Sequence, residues 1–523
     1  MVTRGRRRTV VMLGTAIVAS TAMVLAGCGS SGSGGSSAGS GTSSSGSGGK
    51  TGATGGATGT APNVGPKTAA ANQYGPAIPI SDQAGMYGQT SNKNVYEGAG
   101  GYTLNTSTCP SGWSNTQGIS NGAIQLYGTA PLSGAAAVVG DIDKGVKSYF
   151  EYVNTHGGIG PNHLAVDYTI GDDQYNPALT AQDVRAAMQT NKYAAMPTIT
   201  GSSNNLAVRS LLNQQCMPQF LTTASDPEFG DPQHYPWTSG FGLTYFGQAQ
   251  AWAGYIKQTY PNGATVAEIA ADNSFGEAYH AGLVQALQGS NIKIVSTQYV
   301  PATASDIGNE MTTAAATKAT VLVLEETDPY CTQGIQGAES GSWKPVVIMS
   351  QACAAAAATF APLTSKGVTG AGTLTDLYYN APTDSDLANP WFATLLMNTL
   401  KAQGLPSTNE EFADGWMWGW YVTEVLQDAA SYKGGLNRAN IMVAAYSIDE
   451  IYPLMVKGID TQMDGFQNAY LVQSDQMWKY AGNSGSQTGS YAAAGSVITL
   501  PGGLGNWTAI QKASPLAAKL VGT

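Results

Sequence analysis

Short polar segments that directly follow predicted strands carry the side chains best suited to chemistry. Two such loops, after Met196–Thr200 and Phe220–Thr222, supply Ser202, Ser203, Thr223, Ala224 and Ser225. Hydroxyls and free backbone N–H groups at a helix start suit a carboxylate. A second run of strands is followed by Phe275, Glu326, Asp328 and Gln351. Because ligands bind beyond the carboxyl ends of parallel strands, the two sets predict one cleft for a small polar molecule. Each residue alone has a structural alternative, since serines and aspartates at helix starts are commonly caps.

Catalysis is not predicted. A hydrolase needs a nucleophile within reach of a base. The histidines fall at a helix stop, in loops and on a helix face, and none follows a predicted strand: His156, His163, His234 and His280. We therefore expect no catalytic residue and no cofactor.

The composition excludes further classes of function. The chain has 523 residues, with 24 basic and 34 acidic side chains and a net charge of −10. Nucleic-acid binding needs a basic face, so no nucleic-acid partner is expected. Four histidines and unclustered cysteines argue against a structural zinc site, and no metal is predicted.

The first residues predict export and lipid anchoring. Arg4–Arg8 form a positive segment, an apolar stretch follows, and Leu25-Ala26-Gly27-Cys28 closes it. This ending resembles a bacterial lipobox, which implies a lipoprotein signal peptide at residues 1–28, with Cys28 lipidated as the mature N-terminus, and a place on the outer face of the cytoplasmic membrane. Residues 29–118 read as a Gly/Ser-rich tether and an irregular segment.

Strands and helices alternate through the rest of the chain. Residues 123–222 give one run, and residues 246–350 give a second. Strands that alternate with helices of 10–15 residues indicate βαβ units with parallel sheets. The sequence therefore predicts two α/β lobes.

Three segments carry a family resemblance. Leu126–Asp173, Ile269–Tyr279 (IAADNSFGEAY) and Phe412–Ala429 resemble the leucine/isoleucine/valine-binding type of class I periplasmic binding protein. The resemblance implies two doubly wound, Rossmann-like lobes joined by three hinge crossovers, and delivery of a small ligand to an ABC permease. It places lobe one at residues 119–243 and 373–449, lobe two at 244–372 and 450–505, and a tail at 506–523.

The resemblance also assigns roles. It places Ser202 and Ser203 on the ligand α-carboxylate, and Thr223, Ala224 and Ser225 on the carboxylate and amine. Phe275 stands where the family usually has tyrosine. Gln351, a neutral amide, stands where an acid commonly holds the amine, so Asp328 or Glu326 would have to substitute. Trp416 falls at an aromatic position of the returning helix, with core packing as its alternative.

The cysteines and the function leave alternatives open. Besides Cys28, Cys109, Cys216, Cys331 and Cys353 allow three pairings; we favour Cys109–Cys216 and Cys331–Cys353 because each pair then stays within one implied lobe. The leading function is capture of an amino acid, branched-chain or other, for import. The alternatives are a sensor of amides, urea-like or aromatic compounds and a surface adhesion module.

Overall fold

A computed structural model describes residues 78–500, except 80, 121 and 135. The predicted leader, the lipidation of Cys28, the Gly/Ser-rich tether and the tail at 506–523 lie outside the described residues.

The described chain alternates strands and helices. The strands are β1 Gly88–Gln89, β2 Val95–Glu97, β3 Thr103–Asn105, β4 Ala123–Ala130, β5 Ala165–Asp172, β6 Ala264–Ala271, β7 Ile292–Val300, β8 Val321–Glu325, β9 Val346–Met349, β10 Leu374–Leu377, β11 Ser474–Tyr480, β12 Tyr491–Ala493 and β13 Ile498–Thr499. The helices are α1 Asp141–Thr155, α2 Pro177–Gln189, α3 Ser202–Gln214, α4 Tyr245–Thr259, α5 Ser274–Leu287, α6 Gly308–Ala316, α7 Tyr330–Ser340, α8 Ala356–Thr359, α9 Ala361–Thr364, α10 Pro390–Ala402, α11 Glu410–Ser431 and α12 Arg438–Ala445. None of these helices is long and apolar enough to cross a bilayer.

The large sheet forms the second lobe. Its strand order is β12-β11-β10-β9-β8-β6-β7, with β13 paired to β11. The strands from β10 to β7 run parallel, whereas β11 pairs antiparallel with β10 and β12. One face packs on α4 and α5 through Trp252 and Tyr279. The other face packs on α7 and the segment around Phe360. Burial on both faces explains the continuous apolar run of β8 (VLVLE).

The first lobe has a shorter regular sheet than predicted. β4 and β5 pair in parallel along their whole length. The predicted strands Met196–Thr200 and Phe220–Thr222 make only isolated bridges, such as Thr200↔Thr223. Their prediction as regular strands is wrong because Thr198 and Leu221 have positive φ angles of 54° and 50°, which break the ladder. Met196–Thr200 still runs beside β4, and Phe220–Thr222 runs beside Met196–Thr200, so their ends reach the same edge.

Helix α11 lies close against α1. A Cβ on Gly145 would meet the carbonyl oxygen of Phe412 at 2.3 Å, and a Cβ on Gly415 would meet that of Ile142 at 2.0 Å. Only glycine permits this approach at the crossing. The contact fixes the first two turns of α11 at the edge of the lobe where the loops after β4 and β5 lie.

The chain passes between the lobes three times, as predicted: between Leu243 and α4, after β10, and before β11. Two stretches belong to the opposite lobe from the one that we predicted for them. β10, placed with lobe one, pairs with β9 and β11 in the large sheet. Residues 450–472, placed with lobe two, pack in the core of lobe one, where Tyr421 Oη bonds the Glu450 carbonyl. β10 is the last parallel strand before the crossover, and a four-residue strand has too weak a pattern to mark that boundary.

Residues 81–119 are ordered against lobe one. β1–β3 form a small antiparallel sheet, and β1 bridges Lys433 at the end of α11. The Tyr102 hydroxyl donates to the Pro236 carbonyl at 2.6 Å. Disulfides join Cys109 to Cys216 and Cys331 to Cys353, with Cα–Cα distances of 5.6 and 6.2 Å. Both favoured pairings are confirmed.

Candidate functional site

A cleft between the lobes encloses a cavity of about 140 Å³. Its walls are loops that follow the parallel strands of both lobes and the first turns of α11. The main lining segments are Thr200–Gly201, Thr223–Ser225, Phe275, Thr327, Gln351, Leu377–Tyr379, Glu410–Asp414 and Trp418. An apolar cavity of about 150 Å³ accommodates benzene, so this one accommodates a small metabolite.

Half of the predicted site residues line the cleft. Thr223, Ala224 and Ser225 lie on the lobe-one wall, and Phe275 and Gln351 lie opposite them on lobe two. The Thr223 hydroxyl and the Gln351 amide nitrogen have no hydrogen-bond partner among the described residues. Both groups are therefore available to a ligand.

The two predicted serines lie behind this wall. Ser202 and Ser203 open α3 directly after the cleft-lining Gly201, and they are not among the lining residues. Burial, reinforced by Glu228, raises the pKa of Asp226 well above its usual range, and the hydroxyls of Ser202 and Ser274 lower it. Asp226 thus lies beside the start of α3, at the place where the resemblance puts the carboxylate of a ligand.

The predicted substitute acids also lie outside the lining. Asp328 is buried and accepts a hydrogen bond from Thr332 Oγ1 at 2.9 Å and another from Thr359 Oγ1. Burial raises the pKa of the buried Glu326 to about 8. Thr327, between them, faces the cleft instead. The Asp328 carboxyl therefore already accepts hydrogen bonds from within lobe two.

Trp416 belongs to the core. It is fully buried, its indole N–H donates to Ser148 Oγ at 3.0 Å, and its ring meets Tyr149 edge-on at 5.0 Å. Trp418, two residues later, lines the cleft, and its indole nitrogen has no hydrogen-bond partner among the described residues. Helical spacing puts these two rings on different faces, but the sequence does not say which face meets the cleft.

The most distinctive feature of the cleft is a group of four acids that sequence reasoning missed. They are Asp384, Glu410, Glu411 and Asp414, and no lysine, arginine or histidine is among the lining residues described. Glu410 and Glu411 stand in the first turn of α11, where the helix dipole favours negative charge, and Asn409 caps that turn through the Glu411 N–H. The sequence signal was available, because EEFAD opens a helix, but acids at helix starts are common on surfaces.

Burial keeps these acids weak. It raises the pKa of Glu410 to about 7 and that of Asp384 to about 6. Burial and the adjacent Asp414 raise the pKa of Glu411 well above its usual range. Burial also raises the pKa of Asp414 to about 8, against the lowering effect of the Tyr379 hydroxyl, which donates to Asp414 Oδ2 at 2.6 Å. Asp384, Glu410 and Asp414 therefore titrate near neutral pH, and a positive charge beside the four acids would favour their ionised forms.

Aromatic rings line the cleft together with the acids. The Tyr245 and Phe275 rings meet at 4.6 Å, and Trp418 packs on Phe241. Tyr379 and Tyr491 complete the wall near the carboxyls. Aromatic faces and carboxylates together favour an ammonium group.

Known structures share this architecture. A fatty-acid ABC transporter substrate-binding protein from Thermomonospora curvata superposes with a TM-score of 0.63 at 16% identity over 75% of this chain and 96% of that one. A branched-chain amino acid ABC transporter protein from Thermus thermophilus with bound valine gives 0.62 at 16% identity, over 77% and 100%. A solute-binding protein from R. palustris in complex with 4-hydroxybenzoate gives 0.60 at 15% identity, over 72% and 98%. At these identities the likeness shows the fold.

No curated protein matches the chain significantly. The periplasmic binding protein pattern matches residues 128–477, which include both lobes. Proteins of this family bind small molecules for ABC transporters and are not enzymes. The chain belongs to the periplasmic binding protein family.

Proposed function

We propose that this protein is an extracytoplasmic, lipid-anchored binder that captures a small molecule bearing a positively charged amino group and presents it to an ABC permease. The observation that carries the proposal is the cleft lining, which holds four acids and no base among its described residues. The lipid anchor rests on Cys28 and the sequence that precedes it.

The carboxyls supply the recognition chemistry. Glu411 is buried and lines the cleft. An ammonium that donates to it would gain about 1.5–3 kcal/mol, the usual worth of a hydrogen bond to a charged group. Asp414 is already oriented by Tyr379. Trp418 and Tyr491 offer ring faces at which the cation loses water without losing electrostatic contact.

Closure of the lobes is the proposed mechanism. The three crossovers form the hinge, and the acids lie on lobe one while Phe275 and Gln351 lie on lobe two. A ligand that touches both walls stabilises the closed form by its differential contacts, and the permease would recognise that form.

An amino acid is a candidate ligand under this proposal, but the cleft offers more groups that would bind its amine than groups that would bind its carboxylate. The Thr223 hydroxyl is available to a ligand carboxylate. Asp226, beside the start of α3, opposes one. Amines without a carboxylate are therefore candidates alongside amino acids.

A second candidate is a neutral amide or aromatic ligand, in transport or in sensing. The Gln351 amide nitrogen in the cleft has no partner among the described residues and suits a carbonyl oxygen. Tyrosine and phenylalanine rings suit a flat molecule.

A thermal-shift screen of the purified chain separates these candidates. The panel holds leucine, valine, putrescine, choline, 4-hydroxybenzoate and urea. A ligand at 100 times its dissociation constant adds about 2.7 kcal/mol of stability. We expect the cationic amines or the amino acids to raise the melting temperature. Shifts with 4-hydroxybenzoate or urea alone would favour the second candidate, and the absence of any shift would count against small-molecule capture.

A further inference from the structure

A second cluster of ionisable groups lies in lobe two, within the sheet. Glu268 on β6 and Glu325 on β8 are fully buried. In the parallel register Ala270 pairs with Glu325, and Glu268 lies two residues before Ala270 on the same strand. Both carboxyls therefore project from the same face of adjacent strands. His280 on α5 reaches this face, with Nδ1 2.9 Å from Glu268 Oε2.

The three side chains converge on one point. Their candidate ligand atoms all lie within 4.8 Å of one another. Two ligands on a tetrahedral ion are about 3.4 Å apart, given metal–ligand bonds of about 2.1 Å. Small rotations of the side chains therefore place all three on one ion.

The carboxyl oxygens have capacity for a cation. Both carboxyl oxygens of Glu325 and the Oε1 of Glu268 lack a hydrogen-bond partner among the described residues. Glu268 Oε2 accepts from Thr297 Oγ1 at 2.5 Å, which orients that carboxyl as outer partners orient metal ligands. A buried carboxylate with no partner is costly, so Glu325 needs either a proton or a cation.

We propose that Glu268, His280 and Glu325 bind a divalent transition-metal ion of the Zn²⁺ type. Two carboxylates neutralise its charge, and one imidazole favours a transition metal over Ca²⁺ or Mg²⁺. An open position remains for water. β7 is an edge strand, and Tyr299 on it, 41% exposed, lies beside His280, so the cluster opens toward solvent on that side.

The bound ion would hold α5 against the sheet. It would link β6, β8 and α5, whose first turn carries the cleft residue Phe275. The site is separate from the ligand cleft and does not rest on the proposed transport function.

The competing account is a proton shared within the cluster. Glu277, Asp272 and Tyr299 also face this region, since the charges of Glu277 and Asp272, like those of Glu268 and Glu325, act on the Tyr299 hydroxyl. In that account no metal binds, and His280 and Glu325 carry the protons instead.

The test uses the untagged full chain, stripped with a chelator and then titrated with ZnCl₂. We expect one tightly bound zinc per chain by calorimetry and elemental analysis, with an upward shift of the melting temperature. Glu325→Gln should remove that equivalent. Glu424→Gln is the matched control, because Glu424 is also a buried acid but lies on α11 in lobe one, away from the cluster.

His280→Ala guards against a folding defect in the first variant. His280 is partly exposed, so this change should leave the fold intact while it weakens zinc binding at least tenfold. Failure of the wild-type chain to retain a zinc equivalent, or equal zinc binding by both cluster variants and the wild type, would overturn the proposal in favour of the shared proton.

Discussion

The indole of Trp418 packs against the ring of Phe241, with centroids 4.4 Å apart and planes inclined by 35°. Phe241 lies just before the first crossover to lobe two, and Trp418 lines the cleft. The cleft wall and the hinge therefore share one aromatic contact.

Trp418 should report ligand binding. It is the one tryptophan among the described lining residues, so its emission is expected to change when the cleft fills and the hinge moves. We predict that Trp418→Phe removes most of the ligand-dependent fluorescence change. Trp416→Phe is the control: it should lower stability by about 1–3 kcal/mol through the lost bond to Ser148 and leave the ligand signal in place. Loss of the signal in the Trp416 variant instead would contradict the assignment.

Glu411 should determine affinity for cationic ligands. Glu411→Gln keeps the shape and removes the charge that an ammonium would meet. We expect amine binding, measured by calorimetry, to weaken about 10- to 100-fold, which corresponds to about 1.5–3 kcal/mol. Glu151→Gln, on the exposed face of α1, should change nothing. Unaltered amine affinity in the Glu411 variant would argue against the cationic ligand.

Binding of an amine should release protons. Burial raises the pKa of Glu410 to about 7 and that of Asp414 to about 8, and Asp384, Glu411, Tyr379 and Tyr491 face the same space. A cation favours the ionised carboxyls, so the dissociation constant should fall as the pH rises from 6 to 8.5.

Calorimetry in phosphate and in Tris measures the sign of this exchange. Proton uptake, with weaker binding at high pH, would mean that protonated carboxyls donate to an acidic or neutral ligand.

The ligand-free protein should be more stable at pH 5 than at pH 8. Burial raises the pKa of Asp143 to about 7 and that of Asp414 to about 8, whereas unfolded carboxyls titrate near 4. Between these values the folded state holds more protons, so each rise in pH costs stability. We expect a lower melting temperature at pH 8, and Asp414→Asn should reduce the dependence by roughly one to a few kcal/mol. A flat profile would contradict the burial of these acids.

The two disulfides should contribute unequally. Cys109–Cys216 closes 107 residues and Cys331–Cys353 closes 22. In the chain-entropy account these loops are worth about 5 and about 3 kcal/mol. Replacing Cys109 and Cys216 with serine should therefore lower the denaturation midpoint more than the equivalent change at Cys331 and Cys353. The reverse order would show that residues 81–119 hold to lobe one without their covalent link.

The sequence predicted the two lobes well because the period of apolar residues depends only on local burial. It also predicted that Phe275 and Gln351 follow strands, and both residues line the cleft together with Thr223. It failed at Thr198 and Leu221, because positive φ in a non-glycine residue leaves no compositional mark.

The acidic wall could not be predicted for a different reason. Glu410, Glu411 and Asp414 look like the solvated start of any helix until α11 is pressed onto α1 at Gly145 and Gly415. Their burial depends on contacts distant in sequence. Similarly, the position of Asp328 after a strand predicts a ligand contact, but its carboxyl accepts hydrogen bonds from Thr332 and Thr359 instead.

The attachment of residues 81–119 has a mechanical consequence. β1 joins the end of α11, Tyr102 bonds Pro236, and Cys109 is covalently bound to Cys216, all within lobe one. A pull on the N-terminal side of the chain is thus delivered to lobe one alone. In the closure proposed above, lobe one would then stay in place, and lobe two would make the whole movement about the hinge.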